Sequence, residues 1–524
     1  MAGWNLSLGR RCQLSLIAGY EYKPKVGLAY NKGTILVNFA NDTAELKRVG
    51  MSGLRGEFSS KLGFILATAG SAVGIGNLVG FPVMAAKNGG AAFLIIYLAF
   101  VVLVCFPVML AEIAMGRAAQ KNPVGSFYAL SGNSNFWGRV GGLAVVTPFM
   151  IAVFYSVITI WIMLYLLQAL SGNLDRLAEP SAFGEIVASP TLFIYLFLTM
   201  AVVYGILAGG VKDGIEKAAK VLMPLLFLML LFLVIFVMTL DNAEAGVAYY
   251  LIPDFSKINS TVIRSAMNQA FFSLSLGMGI LITYGSYFSR EEKIMNSTRM
   301  VAMTDTAVAF FAGLLILPAI FAINPDVDVQ SLSDSSVSLI FSYLPQLFLE
   351  MQSFLGYTGA SIVATVFFLL VFFAAITSLV SISEIPIAWM VDEKKYSRRK
   401  ALAVMAMAEG VFIVLATMSL GMVGWLSSMV TYGDINKSFF DMIYDLFYDT
   451  VLPFTGFLVC IFCSYRWQRS DFINEIGKGS ENFSSSLLAS YITLSLGTFI
   501  PLILLLVFAN NVAQIYFGFN LLGF

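Results

Sequence analysis

Two stretches of this chain are long enough to cross a lipid bilayer, yet each is interrupted near its middle by glycine and polar residues. Residues 62–86 contain GSAVGIGNLVGFP at 70–82, and residues 265–289 contain NQAFFSLSLGMG at 268–279. Glycine weakens a helix interior by roughly 1 kcal/mol relative to alanine, and unwound backbone is tolerated in hydrocarbon only where it lines a buried site. The pair therefore predicts two broken helices around a binding site, which is typical of secondary transporters.

The composition is that of a membrane protein. The 524 residues are 58% hydrophobic and only 12% charged, whereas about 25% of residues are charged in an average soluble domain. Apolar stretches of span length, about 20 residues, recur along the chain. Together with the two interrupted spans they predict eleven transmembrane helices, at 62–86, 91–111, 141–171, 191–211, 221–240, 265–289, 306–324, 351–383, 401–422, 439–465 and 484–524.

We therefore expect an all-α polytopic membrane protein with a defined orientation. Lys and Arg are concentrated in the segments on the same side as residues 51–61, which places the N-terminus inside and, with an odd helix count, the C-terminus outside. Helices 1 and 6 are the broken ones, as a 5+5 inverted repeat requires, and helix 11 lies outside the repeat. Residues 51–524 form the membrane domain, and we expect 1–50 to be a disordered tail or a mis-assigned extension before Met51.

A break of this composition offers two kinds of backbone group. Unwinding frees carbonyls at the end of one half-helix and N–H groups at the start of the next. Carbonyl oxygens suit a hard cation, and N–H groups at a helix N-terminus suit a carboxylate. The alternative is that the glycines only permit close helix packing, as small residues do in membranes.

The motifs resemble the neurotransmitter:sodium symporter family, in its bacterial amino-acid branch with the leucine-transporter fold. The resemblance rests on GFILATAGSAVGIGNLVGFP at 63–82, EIAMGR at 112–117, NQAFFSLSLGMGILITYGSY at 268–287 and AAITSLVSISE at 374–384, and it covers essentially all of residues 51–524. It implies a multi-pass transporter of the cell membrane, not an enzyme, that imports an amino acid with Na⁺ by alternating access. Its partners would be the amino acid and the lipid bilayer, without nucleic acid.

The resemblance implies two sodium sites built from oxygen ligands. The first would use Ala72, Asn77, Ser273, Asp305 and the substrate carboxylate. The second would use Gly70, Val73, Ala374, Thr377 and Ser378. Without the resemblance, a hydroxyl such as that of Thr377 would be interpreted as bonding back to its own helix.

Asp305 is a carboxylate in the middle of an apolar helix, where a charge is costly and indicates function. In the family, members that need chloride have neutral residues around the first sodium. Asp305 would supply that negative charge from the protein, and Ala309 stands where other members have Ser or Glu. We therefore predict chloride-independent transport. The alternative is a protonated carboxyl that bonds within the helix bundle.

The resemblance also implies a substrate site for a hydrophobic, branched or aromatic L-amino acid. Gly74 stands where carriers of biogenic amines have Asp, so the substrate would bring its own carboxylate to Tyr155 and to the N–H groups near Gly74 and Gly76. The full set of implied substrate residues is Ala72, Gly74, Gly76, Ile151, Tyr155, Phe272, Ser275, Met278, Ser378 and Ile382. For an isolated apolar member such as Ile151, ordinary packing is the alternative.

The resemblance also implies a gate on each side of the substrate site. Arg55 and Asp392 resemble the family's inner gate pair, with Ser286 and Tyr287 beside them. The usual outer pair is missing, because Gly80 and Tyr444 stand at its two positions, with Asp445 one residue away. We expect outer closure to depend on Tyr155 and Phe272.

Two other functions stay open. The missing outer pair would fit a sensor or regulatory protein that binds an amino acid without moving it. A proton-coupled amino-acid permease of related fold is the second alternative. The sequence leaves the oligomeric state undetermined.

Overall fold

The computed structural model of this chain describes residues 28–31, 34–37, 57–290, 292–323, 339–433, 435–479, 483–519 and 521. The chain divides into two compact units, Met1–Arg55 and Gly56–Phe524. In the first unit, β1 (Leu28–Asn31) and β2 (Thr34–Val37) form an antiparallel hairpin. The remaining residues of the predicted 1–50 extension, and Arg55, lie outside the described residues.

The second unit is helical. Its main helices, in chain order, are α1 Lys61–Ala72, α2 Gly76–Lys87, α3 Ala91–Ala119, α4 Pro123–Leu130, α5 Asn135–Leu170, α6 Leu192–Ala208, α7 Val211–Val237, α8 Ala243–Leu251, α9 Ser260–Ser273, α10 Ile280–Ser286, α11 Ile294–Ile323, α12 Leu344–Glu350, α13 Gln352–Asp392, α14 Arg398–Met418, α15 Phe439–Arg466, α16 Arg469–Gly477 and α17 Leu487–Phe517. Short helical turns at Leu174–Leu177, Ala182–Val187, Phe255–Lys257, Leu339–Tyr343, Gly424–Ser427 and Phe483–Ser485 connect them. A second hairpin, β3 (Val430–Tyr432) with β4 (Ile435–Lys437), precedes α15.

Length and composition identify the spanning helices. Among the described residues, eight helices are long and apolar enough to cross a membrane, or nine if α1 and α2 are one broken span. The 17-residue helix α6 is apolar but shorter. The two halves of the second predicted broken span, α9 and α10, are separate short helices. The eleven-helix count, the inverted repeat and the orientation of the termini stay predictions.

Both predicted breaks are present, and the core helices surround them. The axes of α1 and α2 differ by 56° across residues 73–75. Helix α11 packs against both α1 and α2, and α13 packs against α1 and, extensively, against α5. Helix α10 packs against the second half of α3. The breaks thus lie inside the bundle, where unwound backbone can find partners.

Candidate functional site

The first break begins at Val73, the residue directly after α1. The backbone of Val73 is extended, with φ −68° and ψ 102°, and this frees the last carbonyls of α1. Two bonds between Gly74 and Asn77 form the start of the next half-helix, α2. The N–H of Gly74 donates to Asn77 Oδ1 at 3.1 Å, and the N–H of Asn77 donates to the Gly74 carbonyl at 3.1 Å. The sequence therefore produces a defined turn at this point.

The second break contains three left-handed residues. Ser275, Gly277 and Gly279 have φ values of +54°, +78° and +74°. A Cβ atom at Gly277 would lie 2.7 Å from the Leu452 carbonyl oxygen, and one at Gly279 would lie 2.6 Å from that of Ala144, so larger side chains do not fit at either position. Close packing and unwinding both require glycine here.

Glu112, on α3, forms a hydrogen bond to the backbone of the second break. This fully buried carboxylate accepts a hydrogen bond from the Gly277 N–H at 2.7 Å. The unwound backbone is thus partnered by a carboxyl side chain from α3. Glu112 opens the EIAMGR motif at 112–117, one of the motifs on which the family resemblance rests.

A cluster of three side chains joins α2, α9 and α11. Asn77 Nδ2 donates to Asp305 Oδ1 at 2.7 Å and to Ser273 Oγ at 2.8 Å, and Ser273 Oγ donates to Asp305 Oδ2 at 2.8 Å. Asn77 and Asp305 are fully buried, and Ser273 is nearly so. In the described part of the chain, no Lys or Arg forms an ion pair with Asp305. A cation beside this cluster would neutralise a buried carboxylate.

Ser378 brings a second group of oxygens together. Its Oγ lies 3.5 Å from the carbonyl oxygen of Gly70, 3.1 Å from that of Ser71 and 3.2 Å from that of Val73. A hydroxyl has a single proton to donate, so one Ser378 hydroxyl cannot satisfy these carbonyls together. These oxygens therefore form a set of ligands that suits a hard cation such as Na⁺.

Thr377 shows the local bonding that its helix position predicts. Its hydroxyl lies 3.0 Å from the Phe373 carbonyl and 3.1 Å from that of Ala374, on its own helix. Gly70 lies against it, since a Cβ atom there would be 3.3 Å from the Thr377 Cβ. The five residues assigned to the second sodium site thus belong to two adjoining segments, the end of α1 with Val73 directly after it, and α13.

All ten residues that the family resemblance assigned to the substrate line one cavity. Its lining comprises Ser71, Ala72, Gly74, Gly76, Asn77, Ile151, Tyr155, Phe272, Ser273, Ser275, Met278, Ser378 and Ile382. The polar members belong mainly to the two broken helices, and the apolar members Ile151, Met278 and Ile382 come from α5, the second break and α13. The cavity therefore has both a polar and an apolar lining.

Gly74 leaves room at the polar end. A Cβ atom at this position would lie 2.8 Å from the Tyr155 hydroxyl and 2.9 Å from Ser378 Oγ. The N–H of Ile75 donates to the Tyr155 hydroxyl at 3.3 Å, which fixes the phenol against the break. Backbone N–H, phenol and hydroxyl groups thus converge where a small carboxylate could bind.

Ser71 and Ser381 were missed from the sequence. Their hydroxyls are 2.6 Å apart, between α1 and α13, and Ser71 lines the cavity. Serine on a helix usually bonds to its own backbone, so nothing in the local sequence indicated a pair separated by 310 positions.

Aromatic rings pack beside Phe272 on the side of the cavity that the sequence predicts to be the outer one. Phe272 contacts Tyr448 with ring centroids 4.2 Å apart, and Tyr448 in turn stacks on Tyr444 at 4.6 Å. Asp445 is occupied elsewhere, since Lys437 Nζ lies 3.0 Å from its carboxylate and Tyr432 donates to it at 2.7 Å. Tyr448 is therefore a ring partner of Phe272 that sequence reasoning missed, and the expected Tyr155 lines the same cavity as Phe272.

The residues of the predicted inner gate are dispersed among several partners. Asp392 accepts from the backbone and side chain of Asn122, both at 3.0 Å. Tyr287 donates to Glu384 at 2.9 Å, and Ser286 donates to the Thr283 carbonyl at 2.5 Å. Because Arg55 lies outside the described residues, the Arg55–Asp392 pair stays a prediction.

The fold and this cavity define a class of protein: a multi-pass membrane protein in which two broken helices meet around a central, partly polar site. The model of the sodium:neurotransmitter symporter family matches residues 55–178 and 184–520. The chain belongs to this family, and it is accordingly a sodium-dependent symporter and not an enzyme.

Individual relatives agree with this assignment. The chain is similar to an uncharacterised sodium-dependent transporter, YhdH, of Bacillus subtilis, with 31% identity over 472 residues that cover 88% of this chain and 98% of the relative. A sodium-dependent transporter of Methanocaldococcus jannaschii is 33% identical over 379 residues, covering 69% of this chain and 74% of the relative. Among solved structures, MhsT in complex with L-phenylalanine matches with a TM-score of 0.74 and 36% identity, covering 87% of this chain and 99% of MhsT.

Proposed function

We propose that this symporter imports a hydrophobic L-amino acid across the cell membrane, together with two sodium ions and without chloride. The observation that carries the proposal is the shared cavity, in which a polar lining from two broken helices meets apolar side chains. Such a lining suits a molecule with a charged backbone and an apolar side chain.

The amino-acid backbone would bind at the polar side of the cavity. The N–H groups near Gly74 and Gly76 and the Tyr155 hydroxyl would bind its carboxylate, since helix N-termini favour anions. Ser275 would assist with the ammonium group. Gly74 supports a substrate that carries its own carboxylate, because a side chain at this position would occupy the space beside Tyr155 and Ser378.

The apolar lining supports a hydrophobic side chain. Ile151, Met278 and Ile382 have no charge with which to pair a polar substrate, and methionine adapts to side chains of different shapes. The similar transporter MhsT was solved with L-phenylalanine, which supports a large apolar or aromatic side chain for the substrate here.

The sodium ions would occupy the two oxygen clusters. The first cluster, Ala72, Asn77, Ser273 and Asp305, adjoins the cavity, so an ion there would contact the substrate carboxylate and couple the two binding events. The second, Gly70, Val73, Ala374, Thr377 and Ser378, would connect α1 to α13. Asp305 supplies a negative charge at the first cluster, which supports transport without chloride.

A binding and flux experiment tests the proposal. Purified protein in liposomes would be given each of the twenty amino acids under an inward sodium gradient, with potassium replacing sodium, or gluconate replacing chloride, in parallel samples. We expect uptake of hydrophobic amino acids that is lost without sodium and kept without chloride.

Each contrary result has a defined meaning. Uptake that follows a pH gradient and ignores sodium would establish a proton-coupled permease. Sodium-dependent binding without flux would establish a sensor. Loss of uptake in gluconate would contradict the role given to Asp305.

A further inference from the structure

Helix α1 is a half-helix with one hinged end. It is joined to α2 through the non-helical residues 73–75, with a bend of 56°. Its other end begins after Ser60, whose side chain caps the helix by accepting from the Gly63 N–H at 3.0 Å. A half-helix hinged at the substrate cavity can close one side of that cavity only while its free end is held.

Glu216, on α7, holds that free end. The Ser59 N–H donates to its Oε2 at 2.6 Å, and the hydroxyls of Ser59 and Ser60 donate to its Oε1 at 2.6 and 2.9 Å. Lys220, one helical turn further along α7, forms an ion pair with it at 2.6 Å. The carboxylate is 1% exposed, so these partners replace water around a buried charge.

The position of the Glu216 carboxylate also stabilises its charge. It lies at the N-terminus of α1, where the first backbone N–H groups have no partner in the helix and the helix dipole is positive. A hydrogen bond to a charged group is also stronger than a neutral one. The contact therefore fixes the free end of α1 to α7 more firmly than apolar packing alone would.

Gly63 makes room for this contact. A Cβ atom at Gly63 would lie 2.0 Å from Glu216 Oε1 and 2.3 Å from its carboxyl carbon. Gly63 is an interior residue of α1 with ordinary helical backbone, so neither a turn nor a left-handed conformation explains its lack of a side chain. The Glu216 carboxylate can occupy this position only because residue 63 has no side chain.

A weaker contact holds the opposite side of the same end. The Phe58 N–H donates to the Tyr287 carbonyl at 3.2 Å, and the Phe58 ring packs edge-on against Tyr284 at 5.6 Å. The free end of α1 is thus fixed between α7 and the segment at the end of α10. The polar, charge-assisted part of this attachment comes from Glu216.

We propose that Glu216 is the inner latch of the transporter: its bonds to Ser59 and Ser60 keep the α1 half-helix closed, and they must break for the cavity to open at that end. Glu216 is a positioning residue, which acts through α1 and does not touch substrate. The inference rests on the proposed function, and it adds a residue to the set predicted for the inner gate, Arg55, Asp392, Ser286 and Tyr287.

The test measures opening directly. Ala67 is 4% exposed on α1 and lines a small cavity between α1, α7 and α13 with Ala219 and Thr377. The substitution Ala67→Cys would be made in full-length protein in which Cys12 is replaced by Ser, since Cys105, Cys460 and Cys463 are buried. The rate of its reaction with a hydrophilic maleimide reports how often α1 opens.

Neutralising the latch should increase that rate. Loss of a hydrogen-bonded buried charge shifts an equilibrium on the order of tenfold to a hundredfold, so Glu216→Gln should react faster by about that factor in potassium. Sodium with L-phenylalanine as the probe should slow the reaction again, because ligands that bind the closed state repopulate it. A variant that had only lost its fold would show no such reversal.

Three further variants separate the latch from general damage. Gly63→Ala should accelerate the reaction because its Cβ displaces the Glu216 carboxyl, and adding it to Glu216→Gln should change little more. Lys220→Met leaves the serine bonds in place and should have a smaller effect. Glu185→Gln, which neutralises an exposed outer-loop carboxylate, should have none.

The outcomes distinguish this inference from the proposed function. If the parent protein binds no amino acid and sodium leaves its labelling rate unchanged, the proposed function fails. If the parent responds to sodium but Glu216→Gln and Gly63→Ala label at the parent rate, the latch is wrong. Faster labelling that sodium and probe do not reverse would also refute it.

Discussion

Asp305 places a carboxylate inside an apolar helix bundle, where it is fully buried. Its two carboxylate oxygens accept from Asn77 at 2.7 Å and from Ser273 at 2.8 Å, which satisfies hydrogen bonding but leaves the charge without a described basic partner. A buried, uncompensated charge is costly. A bound cation removes that cost, and for this reason we expect the residue to determine sodium affinity.

Replacing Asp305 with Asn should therefore weaken sodium binding at nearly constant shape. Hydrogen bonds to charged groups contribute about 1.5–3 kcal/mol, so the sodium concentration for half-maximal amino-acid binding should rise tenfold or more. Titration of amino-acid binding with sodium measures this. Asp241→Asn, at an exposed residue outside the membrane helices, is the matched control, and an equal shift in both variants would contradict the assignment.

At Gly74 the missing side chain is itself the functional feature. An added Cβ would lie under 3.0 Å from both the Tyr155 hydroxyl and Ser378 Oγ, and such overpacking costs about 1–3 kcal/mol. Gly74→Ala should therefore weaken amino-acid binding on the order of tenfold to a hundredfold, as equilibrium binding would show. The control is Gly142→Ala, where an added Cβ meets nothing within 4 Å, and this variant should bind the amino acid normally. If it also bound weakly, the loss in Gly74→Ala would be a general effect of replacing glycine by alanine in a helix.

The broken helices are the elements that the sequence predicted best. Glycine and polar residues in the middle of a span conflict with a continuous helix, and this conflict is local, so it can be recognised in the sequence alone. The same breaks place Gly74, Ser275 and Met278 at one cavity. The assignment of these and the other lining residues to a substrate came from the family resemblance and stays a prediction.

Contacts between distant helices were not predictable in the same way. The bonds from Ser59 to Glu216 join positions 157 apart, and Phe272 meets Tyr448 across two separate helices. Such pairs depend on how each helix is rotated and tilted against its neighbours, and a single sequence does not specify these angles. The inner latch and the outer aromatic contact were therefore visible only in the structure.

Glu112 provides a test at the level of the second broken helix. Glu112→Gln keeps an acceptor for the Gly277 N–H, whereas Glu112→Leu leaves that buried N–H without a partner. An unsatisfied buried group costs about 1–3 kcal/mol, so the Leu variant should have a lower thermal unfolding midpoint and weaker amino-acid binding than the Gln variant. Equal behaviour of the two variants would show that the hydrogen bond is not what holds the break.

At the scale of the whole molecule, the distribution of cations and the number of spans must agree. The residues before α1 lie on one side of the membrane and those after α17 lie on the other only if the chain crosses an odd number of times. With Lys and Arg concentrated on the side of residues 51–61, the positive-inside rule places that side in the cytoplasm. Orientation and helix count are therefore one testable claim.

Single cysteines in otherwise cysteine-free protein would test that claim in intact cells. Cysteine at Glu185 or Phe519 should react with a membrane-impermeant maleimide, because both exposed residues lie on the predicted outer side. Cysteine at Glu57 or Lys394, also exposed, should react only after the cells are permeabilised. Labelling of 57 and 519 from the same side would require an even number of spans, and labelling of 394 but not 185 in intact cells would reverse the orientation.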